Sequence, residues 1–160
     1  MECANFVIST SDDVIGVELG GALKNIIALG AGMVDGLGLG DNAKSAFITW
    51  GWTELVSLGV ALGANVNTFY GLAGLGDLIA TCVSNLSRNH YVGYELAQGR
   101  SLSEINNSMS QVSEGVYTTV AIHQLAQELG VKSPIMDIIY DILFQDLSTD
   151  EVKNIFTRVT

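Results

Sequence analysis

Three polar groups in this 160-residue chain sit where apolar surroundings make a polar side chain costly. Lys24 lies within VELGGALKNIIALGAG, with small and apolar residues on every side. An ammonium in such a place either runs its stem out to water or meets a partner. Burial also lowers the pKa of an ammonium, which suits proton transfer near neutral pH. Two readings stand side by side: a lysine at a helix surface, or a general acid and base. Asp77 follows GLAGLG and opens LIATC. A carboxylate there is either an N-terminal cap or a hydrogen-bond partner, for a substrate hydroxyl or for Lys24. Thr81, four residues on, shares its helical face. Ser87, Arg88 and Asn89 form the third group. Ser87 reads as a cap, which puts Arg88 and Asn89 in a first helical turn. Free backbone N–H groups, the positive end of the dipole and a guanidinium make an anion site there. Arginine opposes the dipole at that end and calls for a compensating anion. A solvated arginine, or one paired with any of the 17 acidic residues, remains the other reading.

Other chemistries find little support. His90 and His123 form no metal constellation, and His123 in AIHQLAQEL reads as a partly buried structural histidine. Cys3 and Cys82 are too few for a disulfide framework and lack metal or redox spacing, so a reducing compartment is expected. Seven basic against 17 acidic residues give a net charge of −10, without the clustered Lys and Arg that nucleic acid needs. Phe47, Trp50, Trp52 and Phe69 read as core or interface aromatics. GAGMVDGLGLG and GLAGLG superficially resemble dinucleotide fingerprints, but neither follows a strand or precedes a suitably spaced acid.

The elements that must position these groups are helical almost throughout. Ile15, Leu19, Leu23, Ile26 and Ile27 recur at helical spacing behind a Ser11/Asp12 cap. Asp41 caps a second helix running to about Gly63, and NVNTFYG is a turn leading into GLAGLGDLIATCVS. Gly99 stops a helix over SRNHYVGYELAQG. Ser101 with Glu104 and Ser148 with Glu151 fit capping boxes, and Pro134 opens a helix. Only NFVIST, near the start, reads as a strand. The chain is therefore all-α, with residues 1–10 ending a preceding unit and 11–160 forming one helical domain. The uncharged run from Leu55 to Gly76 is broken by polar residues and glycines and reads as no membrane span. Nor does the N-terminus read as a secretory signal. Glycine is the odd count, 18 residues against a background of roughly 7%. Inside helices it implies caps or close helix packing.

The stretches DDVIGVELGGALKN, AGMVDGLGLGDNAKSAFITWG, FYGLAGLGDLIATC, SNLSRN, VGYELAQG and QVSEGVYT closely resemble, in order and spacing, the bacterial-type NAD(P)-dependent glycerol-3-phosphate dehydrogenases. That resemblance implies a multi-helical substrate domain of the 6-phosphogluconate dehydrogenase C-terminal-like type, with a short N-terminal strand remnant. It implies hydride transfer between NADH or NADPH and dihydroxyacetone phosphate, giving sn-glycerol 3-phosphate for phospholipid synthesis in the cytoplasm. It also implies a Rossmann domain, absent from this chain, that binds most of the cofactor, so that the chain alone is inactive. By motif, Lys24 is the catalytic acid and base, and Asp77, Ser87, Arg88 and Asn89 contact substrate. Thr81 joins them through its spacing from Asp77. Arg88, Val112 and Glu114 reach the cofactor. The exposed interdomain surface suits self-association into a homodimer. A stand-alone, non-catalytic helical binding or dimerisation module is the alternative.

Overall fold

The computed structural model describes residues 8–84, 86–109, 113–145 and 147–159. Among these residues, α-helices and one π-helical turn are the only regular elements. Half of the expected strand falls outside the described residues, and Ile8, Ser9 and Thr10 carry no regular structure.

α1 (Val14–Gly36) is the central element, and α2 (Asp41–Ala61), α4 (Asp77–Val83), α5 (Arg88–Ala97) and α7 (Glu114–Leu129) all pack on it. The short α3 (Val66–Phe69), α6 (Leu102–Ser108), α8 (Pro134–Phe144) and α9 (Thr149–Val159) complete the set. Leu23, Ile26, Ile27, Leu29 and Met33 of α1 are fully buried, joined by Phe47, Leu55, Phe69 and Phe156 from around it. By length and hydropathy alone α1 could cross a bilayer, and so could the stretch Val66–Val83. Here α1 is the hub of the core, and Val66–Val83 is three short pieces.

Two expected helix starts shift by one residue. Asp13, not Asp12, caps α1: its carboxylate accepts from the Gly16 N–H at 2.9 Å. The same carboxylate accepts from the Thr68 hydroxyl at 2.6 Å and the Asn65 N–H at 2.9 Å, tying the start of α1 to α3. The Thr68 bond and the two backbone bonds hold this carboxyl below its ordinary value. Gly40 occupies the cap of α2, and Asp41 is its first helical residue. Both capping boxes are present, Glu104 accepting from the Ser101 N–H and Glu151 from the Ser148 N–H. Gly99 follows the end of α5 at φ +88°, as a helix-stopping glycine should.

α5 lies on α1 with almost nothing between the backbones. A Cβ added at Gly93 would sit 1.8 Å from the Leu29 carbonyl oxygen, and one at Gly32 would sit 2.0 Å from that of His90. The contacts advance together, Leu29 with Gly93 and Gly36 with Ala97, so the two helices run the same way. Glycine costs helical stability in isolation, and here it sets the depth at which α5 seats. That depth brings the first turn of α5 against Asn25 of α1.

Candidate active site

Asp77 does not cap its helix. The π-turn Leu72–Gly76 runs directly into α4, Gly76 takes the cap position, and the Asp77 side chain is left to do something else. It meets Lys24: the ammonium donates to Oδ2 of Asp77 across 53 residues of sequence. The lysine side chain is 19% exposed and the carboxylate 39%, so the pair stands at the edge of the protein rather than in its core. Lys24 is thus partnered rather than solvated at a helix surface, and Asp77 is that partner rather than a cap. Thr81, one turn along α4, donates its hydroxyl to the Asp77 backbone carbonyl at 2.7 Å and lies 3.4 Å from Oδ1.

Thr81 also lines a small polar cleft of about 210 Å³, with Asn25, Leu86, Ser87, Arg88, Asn89 and Glu114. Ser87 caps α5 as expected, its hydroxyl oxygen accepting from the His90 N–H at 3.3 Å. Arg88 is exposed at the first position of that helix. Asn89 points inward and is buried. Its Oδ1 accepts from the Ser113 hydroxyl at 2.5 Å and the Gly115 N–H at 2.8 Å, and its Nδ2 donates to Asn25 Oδ1 at 2.9 Å. Gly115 is glycine for this reason: a Cβ there would lie 2.7 Å from Asn89 Oδ1 and 2.8 Å from the Asn25 carbonyl oxygen. Glu114 opens α7 and also lines the cleft.

Seven of the eight residues singled out from sequence thus gather in two adjoining places, an ion pair and a cleft, with Thr81 belonging to both. The eighth, Val112, lies outside the described residues. Asn25 is the residue that sequence reasoning passed over. It stands inside the quoted GALKN motif, but a helical neighbour points about 100° away from Lys24. Only the packing of α5 and α7 shows that its amide enters the cleft.

The chain is similar to known proteins over nearly its whole length. Residues 13–154 match the family model described as NAD-dependent glycerol-3-phosphate dehydrogenase C-terminus. The chain belongs to this family. A curated glycerol-3-phosphate dehydrogenase of the NAD(P)+ type from Dehalococcoides mccartyi (strain BAV1) is 59% identical over 152 residues, covering 95% of this chain and 42% of that protein. Its counterpart from Geobacillus kaustophilus is 60% identical over 139 residues, 87% of this chain and 40% of that protein. The crystal structure of the Coxiella burnetii glycerol-3-phosphate dehydrogenase superposes with a TM-score of 0.90 at 41% identity, over 96% of this chain and 48% of that one. The chain therefore spans less than half the length of these family members, and the matched part is C-terminal. The agreement with the Coxiella structure confirms the all-helical fold expected from the motifs.

A second polar cluster lies further along α1. Asp35 accepts from Lys44 at 2.6 Å and pairs with His90 Nε2 at 2.7 Å. Burial pushes the Asp35 carboxyl up, but the bonds and charges of Lys44 and His90 outweigh it and hold the group below its ordinary value. Beside it Cys82 is buried, and burial pushes its thiol up to about 12, which leaves it unreactive. His123, as expected, is structural: it stacks on Tyr140 at 4.0 Å and lies 3.2 Å from Asp137.

Proposed function

We propose that this chain is the substrate-binding half of a glycerol-3-phosphate dehydrogenase. In this reading Lys24 is the proton carrier, and the cleft beside it is the seat of the substrate phosphate. The observation that carries the proposal is the Lys24–Asp77 pair standing next to a cleft lined by Arg88, Asn25 and Asn89.

Dihydroxyacetone phosphate is reduced when hydride reaches its carbonyl carbon and a proton reaches the carbonyl oxygen. A nicotinamide cofactor, when bound, supplies the hydride. The Lys24 ammonium hands its proton to the oxygen, becoming a neutral amine that solvent reprotonates. The reverse reaction takes the hydroxyl proton of sn-glycerol 3-phosphate back onto the amine. Asp77 orients the ammonium through their shared hydrogen bond, and Thr81 buttresses Asp77. Arg88 and the start of α5 hold the phosphate dianion, with the amide N–H groups of Asn25 and Asn89 beside them. Arg88 and Glu114 have the right chemistry for the rim of a dinucleotide, a guanidinium for its phosphates and a carboxylate for its hydroxyl or amide hydrogens. No strand-borne phosphate cradle occurs among the described residues. The main hold on the cofactor therefore comes from a partner domain, and the chain alone does not turn over. The whole enzyme would be cytoplasmic and would feed glycerol 3-phosphate to phospholipid synthesis.

Two assays test this reading. Calorimetry should detect saturable binding of sn-glycerol 3-phosphate to the chain, lost in Arg88→Ala. Joined to the N-terminal part of the Dehalococcoides relative, the chain should support NADH oxidation by dihydroxyacetone phosphate. Lys24→Ala should lower that rate by about 10²–10⁴, the usual worth of a general acid. Near-normal turnover in Lys24→Ala would remove the lysine from its role, and NADH oxidation by the unassisted chain would refute its dependence on a partner.

A further inference from the structure

The two asparagines of the cleft form a chain of hydrogen bonds with a definite direction. A carboxamide presents an acceptor at one end and two donors at the other, and it can be turned either way round. The neighbours decide. The Gly115 N–H, 2.8 Å from Asn89, can only donate, so the Asn89 oxygen must face it. The Ser113 hydroxyl donates to the same oxygen at 2.5 Å. Asn89 therefore turns its nitrogen to Asn25 and donates to Oδ1 of that residue at 2.9 Å. Asn25 Nδ2 in turn lies 3.4 Å from the Gly21 carbonyl, which can only accept. Both ends of the chain thus agree on one polarity. The oxygens of both amides are used within the protein, and each nitrogen keeps one N–H beyond these bonds. Both residues line the cleft, so each has a donor left to offer a ligand, and the Asn89 oxygen, with two donors on it, has no acceptor left to offer.

Ser113 is fully buried and lines no part of the cleft itself. With only the Gly115 N–H, one lone pair of Asn89 Oδ1 would remain free and the carboxamide could tilt. With both donors in place the oxygen is saturated and the plane of the amide is fixed. We propose that Ser113 is a positioning residue, whose hydroxyl locks the Asn89–Asn25 amide chain with its N–H ends available to a phosphate. The inference rests on the cleft being the phosphate seat proposed above. Its consequence is selectivity for anions in a cleft that also carries the Glu114 carboxylate.

The test uses the full 160-residue chain with sn-glycerol 3-phosphate as probe and uncharged glycerol as comparison. Ser113→Ala should weaken sn-glycerol 3-phosphate binding roughly fivefold, the worth of one net hydrogen bond. Ser113→Thr, which keeps the hydroxyl, should stay within about twofold of the parent. Exchange of the Asn89 side-chain amide protons with solvent, followed by NMR, should speed up in Ser113→Ala and not in Ser113→Thr. Weak glycerol binding should be the same in all three proteins. A parent chain that binds no sn-glycerol 3-phosphate would overturn the phosphate seat and this role with it. A parent that binds, with Ser113→Ala binding equally well, would overturn the positioning role alone. So would a weakened Ser113→Ala whose Asn89 amide exchange is unchanged, since the serine would then act only through overall stability.

Discussion

Glycine-to-alanine changes at two helical positions should move stability in opposite directions. Alanine is the better helix former by roughly 0.8–1 kcal/mol wherever its methyl has room. At Gly21 of α1 an added Cβ meets nothing within 4 Å. Gly21→Ala should therefore stabilise the chain by most of that amount, a rise of about 2–4 °C in Tm for a domain of this size. At Gly93 the same methyl would lie 1.8 Å from the Leu29 carbonyl oxygen, 2.8 Å from its carbon and 3.0 Å from the Met33 nitrogen. All three are backbone atoms of α1, so no side chain can swing aside. Reaching even 3.0 Å from the oxygen requires α5 to withdraw by more than 1 Å. That opens the seam around the fully buried Val92 and Leu29. Overpacking of this kind costs about 1–3 kcal/mol or more and outweighs the gain in helix propensity. Gly93→Ala should lower Tm by several degrees and also weaken sn-glycerol 3-phosphate binding, because α5 carries Arg88 and Asn89. Thermal and urea unfolding monitored by circular dichroism at 222 nm measure both variants. A Gly93→Ala protein as stable as its parent would refute the claim that α5 seats backbone to backbone, and an equal loss in Gly21→Ala would refute the use of free space to choose the sign.

Asp35→Asn should cost about 1–3 kcal/mol at pH 7, since it removes charge-assisted bonds to Lys44 and His90. Because the folded-state carboxyl lies below its ordinary 3.8, the contribution is complete above that value and disappears as pH falls through the lowered one. Urea midpoints of parent and variant should therefore converge in acid; a gap that persists unchanged there would contradict the ion-pair account. Glu54 behaves oppositely. Its carboxylate accepts the Ile135 and Met136 N–H groups at the start of α8, yet burial raises its carboxyl above the ordinary value. The folded state thus favours the protonated form, and this group's contribution falls as pH rises through the raised value. Glu54→Gln should gain on its parent as pH rises from the ordinary 4.5 through the raised value, and a pH-independent difference between the two would argue against burial as the cause. Cys82, with its thiol pushed up to about 12, should resist iodoacetamide at pH 8 in a Cys3→Ser background until denaturant is added; rapid labelling of the native chain would mean that the residue opens to solvent.

The helical fold was legible because its signals are local. Caps, capping boxes and three- and four-residue apolar spacing involve residues within one turn of each other. The misplaced starts of α1 and α2 show where that stops. Ser11, Asp12 and Asp13 are each acceptable caps by type. What selects Asp13 is its reach to Thr68 and Asn65, more than 50 residues away. Asp77 is a sharper case. Its position after a glycine-rich turn favours a cap on local grounds, and its actual role depends on a π-turn that carries the helix through without a break. Nothing in the composition of GLAGLG separates a turn that stops from one that continues.

The site divides along the same line. Lys24, Asp77 and Arg88 stand out in sequence because each is a charged group in an apolar or terminal setting. Asn25, Ser113 and Gly115 do not, because a neutral amide, a hydroxyl and a glycine are unremarkable in any helical chain. They become functional candidates only through the direction of their hydrogen bonds, and direction is a property of packed neighbours. Gly115 illustrates the dependence. Its N–H forces the orientation of Asn89, and its missing side chain leaves the space in which that orientation fits. Gly115→Ala would put a methyl 2.7 Å from Asn89 Oδ1 while leaving every charged residue of the site in place. If charge alone made the cleft an anion site, that variant would bind sn-glycerol 3-phosphate as well as its parent; if the amide chain matters, binding falls with all charges intact.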